Sequence, residues 1–168
     1  QIEGTKATMS DALEADVKIE SSLPPDVDDI LHYITALKYG MRRLEEFPLS
    51  LRFIREIHKE LMEKGRKTHF SDPGHFRQSQ NWINGKGPQD AEFVPPPVEA
   101  MNLALDDLEK FLHVEDSIPP LIKTALIHAQ FETIHPFLGG NGRTGRMLVT
   151  FYLCEEGLLE KPVLYLSS

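Results

Sequence analysis

Four stretches of the chain repeat apolar residues at intervals of three and four positions, the spacing that gives a helix one buried face. They are residues 26–46, 51–64, 98–113 and 120–134. A fifth stretch, residues 147–154, is almost wholly apolar and predicts a buried helix. Ser10 can cap a further short helix near the N-terminus. The pattern therefore predicts a mainly α fold.

One segment breaks the helical pattern with β-forming residues. Residues 80–84 and 91–94 are separated by Gly85, Gly87 and Pro88. This arrangement predicts a β-hairpin over residues 80–94.

The helix predicted at residues 120–134 carries more apolar residues than one buried face requires. They include Leu121, Ile122, Ala125, Leu126, Ala129 and Ile134. We expect a buried helix that supports His135 rigidly.

Two polar residues in the first two helices have plain interpretations. Asp29 belongs to an acidic helix start, which suits the helix dipole and a solvated face. His58 lies beside the apolar stripe of residues 51–64, and we interpret it as a packing or solvent-facing residue rather than a ligand.

Composition narrows the class of protein. The 168 residues suit one domain with an ordinary core, and the formal net charge of −8 argues against a general nucleic-acid or anionic-membrane binder. No apolar run approaches the roughly 20 residues of a membrane-spanning helix. Cys154 is the only cysteine, so no internal disulfide forms, and a reducing cytoplasm is the expected compartment. Since position 1 is not methionine, we expect a fragment of a longer chain.

Residues 135–146, H-P-F-L-G-G-N-G-R-T-G-R, contain the candidate chemistry. Pro136 should end the preceding helix, and Asn141 is a suitable N-cap for the next one. A glycine-rich loop that leads into a helix N-terminus offers N–H groups to an anion. Arg143 and Arg146 lie three positions apart on the first turn, where cations oppose the helix dipole unless an anion neutralises them. With His135 as a base, the string suggests attack of a hydroxyl on a phosphoanhydride; a tight turn with solvated arginines is the alternative.

The string resembles the signature of the Fic family, H-x-F-x-[D/E]-G-N-G-R-x-x-R. Seven of its positions match, namely His135, Phe137, Gly140, Asn141, Gly142, Arg143 and Arg146. The resemblance covers Glu3 to Leu166 and implies a single Fic domain over residues 1–168, a helical bundle around a loop–helix nucleotide site with one β-hairpin flap.

The resemblance also implies an activity, the transfer of AMP from ATP to a Ser, Thr or Tyr hydroxyl of a target protein. By that resemblance His135 is the base, and Asn141 and the amides of Gly140 and Gly142 hold the α-phosphate region. Arg143 and Arg146 hold the β- and γ-phosphates, and Phe137 is a buried anchor. Whether the chain forms a homodimer is a question that the resemblance leaves open.

One position departs from the signature. The acidic residue that helps to hold Mg²⁺ in the family is Gly139 here. We expect Mg²⁺ to lie on the phosphates alone and to bind more weakly. A nucleotide-binding pseudoenzyme, another phosphate-type transfer and removal of AMP are therefore alternatives.

The N-terminal region resembles a second Fic feature. Glu3 and Gly4 match the end of the inhibitory motif [S/T]-x-x-x-E-G, whose Ser or Thr would lie one residue before Gln1. The resemblance implies that residues 1–18 are inhibitory, with Glu3 paired to Arg146. A solvated Glu3 near a fraying terminus is the alternative.

In the family, the hairpin that follows a P-G-x-F-R stretch, like residues 73–77, receives the segment to be modified by main-chain pairing. The resemblance places Trp82, Ile83 and Asn84 on this target-docking flap. Packing of Trp82 onto the helical body is the alternative.

Overall fold

The computed structural model describes residues 25–63, 72–160 and 162, with side chains from residue 29 onward. Five α-helices occupy these residues. They are α1 (Pro25–Leu44), α2 (Leu51–Glu63), α3 (Val98–His113), α4 (Pro120–Ile134) and α5 (Asn141–Glu155). The mainly α prediction is confirmed, and each helix lies where the sequence pattern placed one.

The helix boundaries follow from local chemistry. The Ser50 hydroxyl accepts a hydrogen bond from the backbone N–H of Phe53 and so caps α2. Pro120 occupies the first turn of α4, where its missing N–H has no intrahelical partner. After α5, Gly157 has a φ of 69°, a left-handed conformation that suits glycine at a helix end.

Helix α5 lies at the centre of the fold and packs against α1, α2 and α4. The ring of Phe151 on α5 meets that of Phe53 on α2 edge-on, with centroids 5.2 Å apart. A Cβ atom on Gly40 of α1 would come within 2.2 Å of the Phe151 ring, so α1 can approach this closely only with glycine at that position. The signature residues therefore begin a helix that is held on several sides.

The prediction that α4 is a buried helix is wrong for one side of the helix. Leu121, Ile122 and Leu126 are about half to two-thirds exposed. The buried residues are Lys123, Thr124, Ile127, Phe131 and Ile134. Because the apolar residues of α4 lie on every face of the helix, its sequence did not reveal which face would pack against α3 and α5. None of the five helices in the described part of the chain is long and apolar enough to cross a membrane.

The predicted hairpin is much shorter than residues 80–94. Within the described residues it consists of one antiparallel bridge between Ile83 and Phe93. Asn84 has a φ of 56° and Gly85 one of 85°, so the chain leaves the extended conformation directly after Ile83. The proline run at 95–97 lacks the N–H groups that would extend the ladder on the other side.

Candidate functional site

The loop between α4 and α5 begins with His135 in an unusual conformation. His135 ends α4 with φ 48° and ψ 62°, the left-handed region that non-glycine residues adopt at a cost of about 1 kcal/mol or more. Its N–H donates to Phe131 O at 3.0 Å. The conformation turns the chain sharply away from α4, directly before Pro136.

Arg77 holds this turn in place. Its guanidinium donates to the carbonyl oxygens of His135 at 3.0 Å, Ser79 at 3.1 Å and Ile134 at 3.4 Å, and also to that of Pro96. The residue is 1% exposed, and burial lowers the pKa of its guanidinium, which nevertheless stays charged. A cation at the C-terminus of α4 also complements the negative end of the helix dipole.

The prediction that Asn141 is the N-cap of α5 is wrong, because Gly140 is the N-cap, with a φ of 76°. Asn141 is the first helical residue and is 2% exposed. Its side chain brackets Phe137, with Oδ1 accepting from the Phe137 N–H at 2.9 Å and Nδ2 donating to the Phe137 carbonyl at 2.8 Å. The side chain of Asn141 therefore closes the loop. Its backbone N–H is one of those at the helix N-terminus that have no intrahelical acceptor.

The N-terminus of α5 offers a set of backbone donors. The first hydrogen bond of the helix runs from Thr144 N to Gly140 O at 3.0 Å. The N–H groups of Asn141, Gly142 and Arg143 precede it and have no intrahelical acceptor. No side chain caps this helix among the described residues. The arrangement suits an anion.

Both signature arginines belong to the first two turns of α5 and are partly buried. Arg143 Nη1 lies 3.9 Å from Asp29 Oδ1 on α1, and its side chain is 22% exposed. Arg143 Nη2 lies 3.5 Å from Met62 Sδ on α2. The interpretation of Asp29 as a solvated residue is therefore wrong. An acidic helix start gives no signal that α1 will bring this carboxylate to the loop.

His58 on α2 contacts the loop at two points. Its ring stacks on that of Phe137, with centroids 3.6 Å apart and 4° between the planes. His58 Nε2 lies 2.9 Å from Gly139 O, and Nδ1 accepts from Gly74 N–H at 2.9 Å. The pKa of the imidazole is lowered to about 4, chiefly by burial. The hydrogen bond to Gly139 acts to raise this pKa, and the charge of Arg143 acts to lower it. His58 is a packing residue, as expected, but its hydrogen bonds to two loops were not foreseen.

Phe137 is fully buried, as expected of an anchor for the loop. Beyond His58, its ring meets those of Phe76 at 5.2 Å and Phe131 at 6.4 Å. Helices α2 and α4 and the segment that begins at residue 72 therefore all contribute to its pocket.

Gly139 is the position where the family signature has an acid. A Cβ there would lie 4.0 Å from Met62 Cε, so a side chain fits. The described residues contain no group of three or more His, Cys, Asp or Glu that could hold a metal ion.

The flap lies next to the loop. Asn81 Nδ2 donates to Phe137 O at 3.2 Å and to His135 O at 3.5 Å. Beyond it, Trp82 is 40% exposed, Ile83 forms the bridge, and Asn84 Nδ2 donates to Glu92 at 2.7 Å. Trp82 is thus not fully packed onto the helical body. Glu3 and residues 1–18 lie outside the described residues.

Comparison with known proteins identifies the group to which these features belong. The profile of the Fic/DOC family matches residues 48–153, and that of the Fic/DOC family N-terminal region matches residues 1–42. The chain is 28% identical over 165 residues to "Protein adenylyltransferase Fic" of Drosophila grimshawi, which covers 93% of the chain and 32% of that protein. It is 38% identical over 90 residues to a probable protein adenylyltransferase of Aquifex aeolicus, which covers 54% of the chain and 27% of that protein.

A solved structure has the same fold. A Fic domain containing signaling protein of Bacteroides thetaiotaomicron superposes with a TM-score of 0.74 at 23% identity, over 92% of this chain and 59% of that one. The chain spans about one third of the length of the curated relatives it matches.

Proposed function

Because the chain belongs to the Fic/DOC family, we propose that it is a protein adenylyltransferase, which transfers AMP from ATP to a hydroxyl of a target protein or of itself. The observation that carries this proposal is the turn at residues 135–146. Within these twelve residues, a histidine in the left-handed backbone conformation is followed by a helix N-terminus that has no side-chain cap and carries two arginines. The names of the relatives from Drosophila and Aquifex support the same reaction.

In this reaction an oxygen of the target hydroxyl attacks the α-phosphorus of ATP. A new O–P bond forms, the bond from the α-phosphorus to the oxygen that bridges it to the β-phosphorus breaks, and pyrophosphate leaves with the electron pair. An imidazole nitrogen of His135 takes the hydroxyl proton. Arg77 contributes by fixing the backbone of His135, so that the imidazole is presented from a rigid turn.

The remaining signature residues stabilise the charge of the phosphates. The N–H groups of Gly140, Asn141 and Gly142 bind the α-phosphate region, and Arg143 and Arg146 bind the β- and γ-phosphates. Donors that are already oriented need not reorganise when negative charge develops on the phosphates in the transition state. Such preorganised electrostatic stabilisation is usually the largest contribution to catalysis. The Asn141 side chain contributes indirectly, by holding Phe137.

The acceptor docks on the flap. The Ile83–Phe93 bridge leaves Trp82 and Asn84 exposed beside the loop. A target segment that pairs with this edge would place a Ser, Thr or Tyr hydroxyl near His135.

The role of His135 is tested with His135→Ala. His113→Ala, at the last residue of α3, serves as the matched control. We expect His135→Ala to abolish transfer of α-phosphate label and to leave the Kd for ATP unchanged. His113→Ala should retain transfer. Loss of ATP binding in His135→Ala would make His135 a structural residue and would contradict the assignment.

Regulation by Glu3 is part of the proposal. A carboxylate paired with Arg146 would neutralise the arginine and block the γ-phosphate, and Arg–carboxylate pairs are directional enough to do so. The match of residues 1–42 to the N-terminal region of the family supports such a segment. We expect Glu3→Gly to raise the transfer rate and Glu20→Gly to leave it unchanged. Equal rates in Glu3→Gly and the wild type would contradict the inhibitory role.

A second candidate function is a nucleotide-binding regulatory module, which Gly139 favours because it supplies no carboxylate for Mg²⁺. Another phosphate-type transfer, or removal of AMP from a modified target, would use the same anion site. ATP binding without label on protein, in both the wild type and Glu3→Gly, would favour the binding module.

A further inference from the structure

His58 connects three parts of the site although it does not belong to the signature. It is 1% exposed on α2, and it contacts Gly74 on one side and Gly139 on the other. A backbone N–H can only donate and a carbonyl can only accept. The two hydrogen bonds therefore fix a neutral imidazole with its proton on Nε2, which donates to Gly139 O.

The carbonyl that His58 holds belongs to a pair of glycines in the loop. Gly139 and Gly140 are consecutive glycines, which lose the most conformational freedom when they are ordered. The family signature has an acidic residue at the position of Gly139, and its side chain would limit the backbone conformation. Glycine has no such side chain, so other contacts must restrain the backbone here. The hydrogen bond from His58, together with the stack on Phe137, supplies that restraint.

The restraint also sets the direction of a backbone donor. No peptide bond in the described residues is cis, and in a trans peptide the C=O and the next N–H point in opposite directions. Holding Gly139 O against His58 therefore turns the N–H of Gly140 away from α2. Gly140 is the N-cap of α5, so its orientation carries over to the N–H groups of the first turn.

We propose that His58 is a positioning residue for nucleotide transfer, which orders the Gly139–Gly140 peptide through its Nε2–H and so orients the donors of the phosphate-binding turn without touching the nucleotide. This inference rests on the proposed function. A buried imidazole costs more to desolvate than an apolar side chain of similar size. Its directional hydrogen bonds are what an apolar residue could not provide.

Two substitutions separate the two hydrogen bonds. In His58→Gln the side-chain amide nitrogen reaches the place of Nε2 and can donate to Gly139. In His58→Asn the shorter amide reaches the place of Nδ1 and can accept from Gly74, but leaves Gly139 O without its donor. His113→Gln and His113→Asn are matched controls, because His113 Nε2 also bonds a backbone carbonyl, that of Leu49 at 2.7 Å. The Leu49 N–H in turn donates to Glu155 at the last residue of α5, the opposite end of that helix from the loop.

The measurements are kcat and KM for ATP in transfer of α-phosphate label, at a temperature well below the Tm of each variant. We expect His58→Asn to lose about 10- to 100-fold in kcat and His58→Gln to retain most of it. The His113 variants should lower Tm without lowering kcat. Equal kcat in His58→Asn and His58→Gln, or losses that follow the unfolded fraction, would overturn the proposal.

Amide hydrogen exchange separates failure of this inference from failure of the proposed function. The N–H groups of Phe137 and Thr144 are hydrogen-bonded within the loop. Faster exchange there in His58→Asn than in His58→Gln shows that the Nε2 bond orders the turn, even in a protein that transfers no label. Equal exchange in the two variants would contradict the role of His58 whether or not transfer occurs.

Discussion

The imidazole of His58 lies parallel to the ring of Phe137, with 3.6 Å between the ring centroids and 4° between the planes. The contact joins α2 to the loop that carries the candidate base, and both residues are buried. A neutral imidazole suits this position, because protonation would place a charge on a buried ring near Arg143 and would cost Nδ1 its hydrogen bond from Gly74.

This environment predicts a dependence of stability on pH. The pKa of His58 is about 4 in the folded protein and 6.5 in an unfolded chain. Between these values the unfolded chain binds more protons, so the free energy of unfolding falls as the pH falls from 6.5 towards 4. We expect His58 to account for about 3 kcal/mol of this fall. Urea titrations across this range measure it.

The comparison with His58→Gln isolates this contribution. The charges of Arg143 and His75 disfavour a protonated His58 imidazole, and that of Asp72 favours it. Burial also lowers the pKa of His128, but this residue is present in both proteins and so does not affect the comparison. The variant should show a shallower fall than the wild type. Identical slopes in His58→Gln and the wild type would show that His58 does not titrate as described.

Arg77→Lys tests the support of the His135 turn. A lysine has the charge but not the planar fork that reaches several carbonyls at once. We expect a loss of about 2–4 kcal/mol in the free energy of unfolding, because buried carbonyls lose their donors. Arg52→Lys, at an exposed ion pair with Glu56, should cost no more than about 0.5 kcal/mol. Similar losses in both variants would mean that the fork of Arg77 is not needed.

Asp29→Asn tests the ion pair at the loop. If Arg143 binds phosphates, the carboxylate of Asp29 competes with them at 3.9 Å. Removing its charge should lower the KM for ATP by about 2- to 5-fold, as expected for a partly exposed pair. The control is Asp107→Asn, at the exposed pair with Lys110, which should leave the KM unchanged. A higher KM in Asp29→Asn would mean that Asp29 instead holds Arg143 in its working position.

Gly139→Asp tests the missing acid of the signature. The position has space for a side chain, so the variant should fold. We expect Mg²⁺-dependent turnover to rise by about 10-fold, because a carboxylate beside phosphates completes the usual ligands of this ion. Gly139→Asn provides the same size without the charge and should gain little. An unchanged dependence of turnover on Mg²⁺ in Gly139→Asp would contradict this account of the departure.

Much of the fold followed from the sequence, since apolar spacing and prolines located all five described helices. The candidate roles of residues 135–146 could be read from one contiguous string, and they stay predictions. Asp29 and His58 were missed for a physical reason. Each comes to the loop through the packing of a separate helix, which the spacing of residues within that helix does not specify. The exposed face of α4 was missed for the same reason.

The most direct test of AMP transfer uses ATP labelled at either the α- or the γ-phosphate, with Mg²⁺, in the wild type and in Glu3→Gly. Including Glu3→Gly ensures that an inhibitory segment does not hide the activity. We predict label on protein from the α-phosphate alone, and more of it in Glu3→Gly. Label from the γ-phosphate alone, or no label in either protein while ATP still binds, would contradict adenylyl transfer.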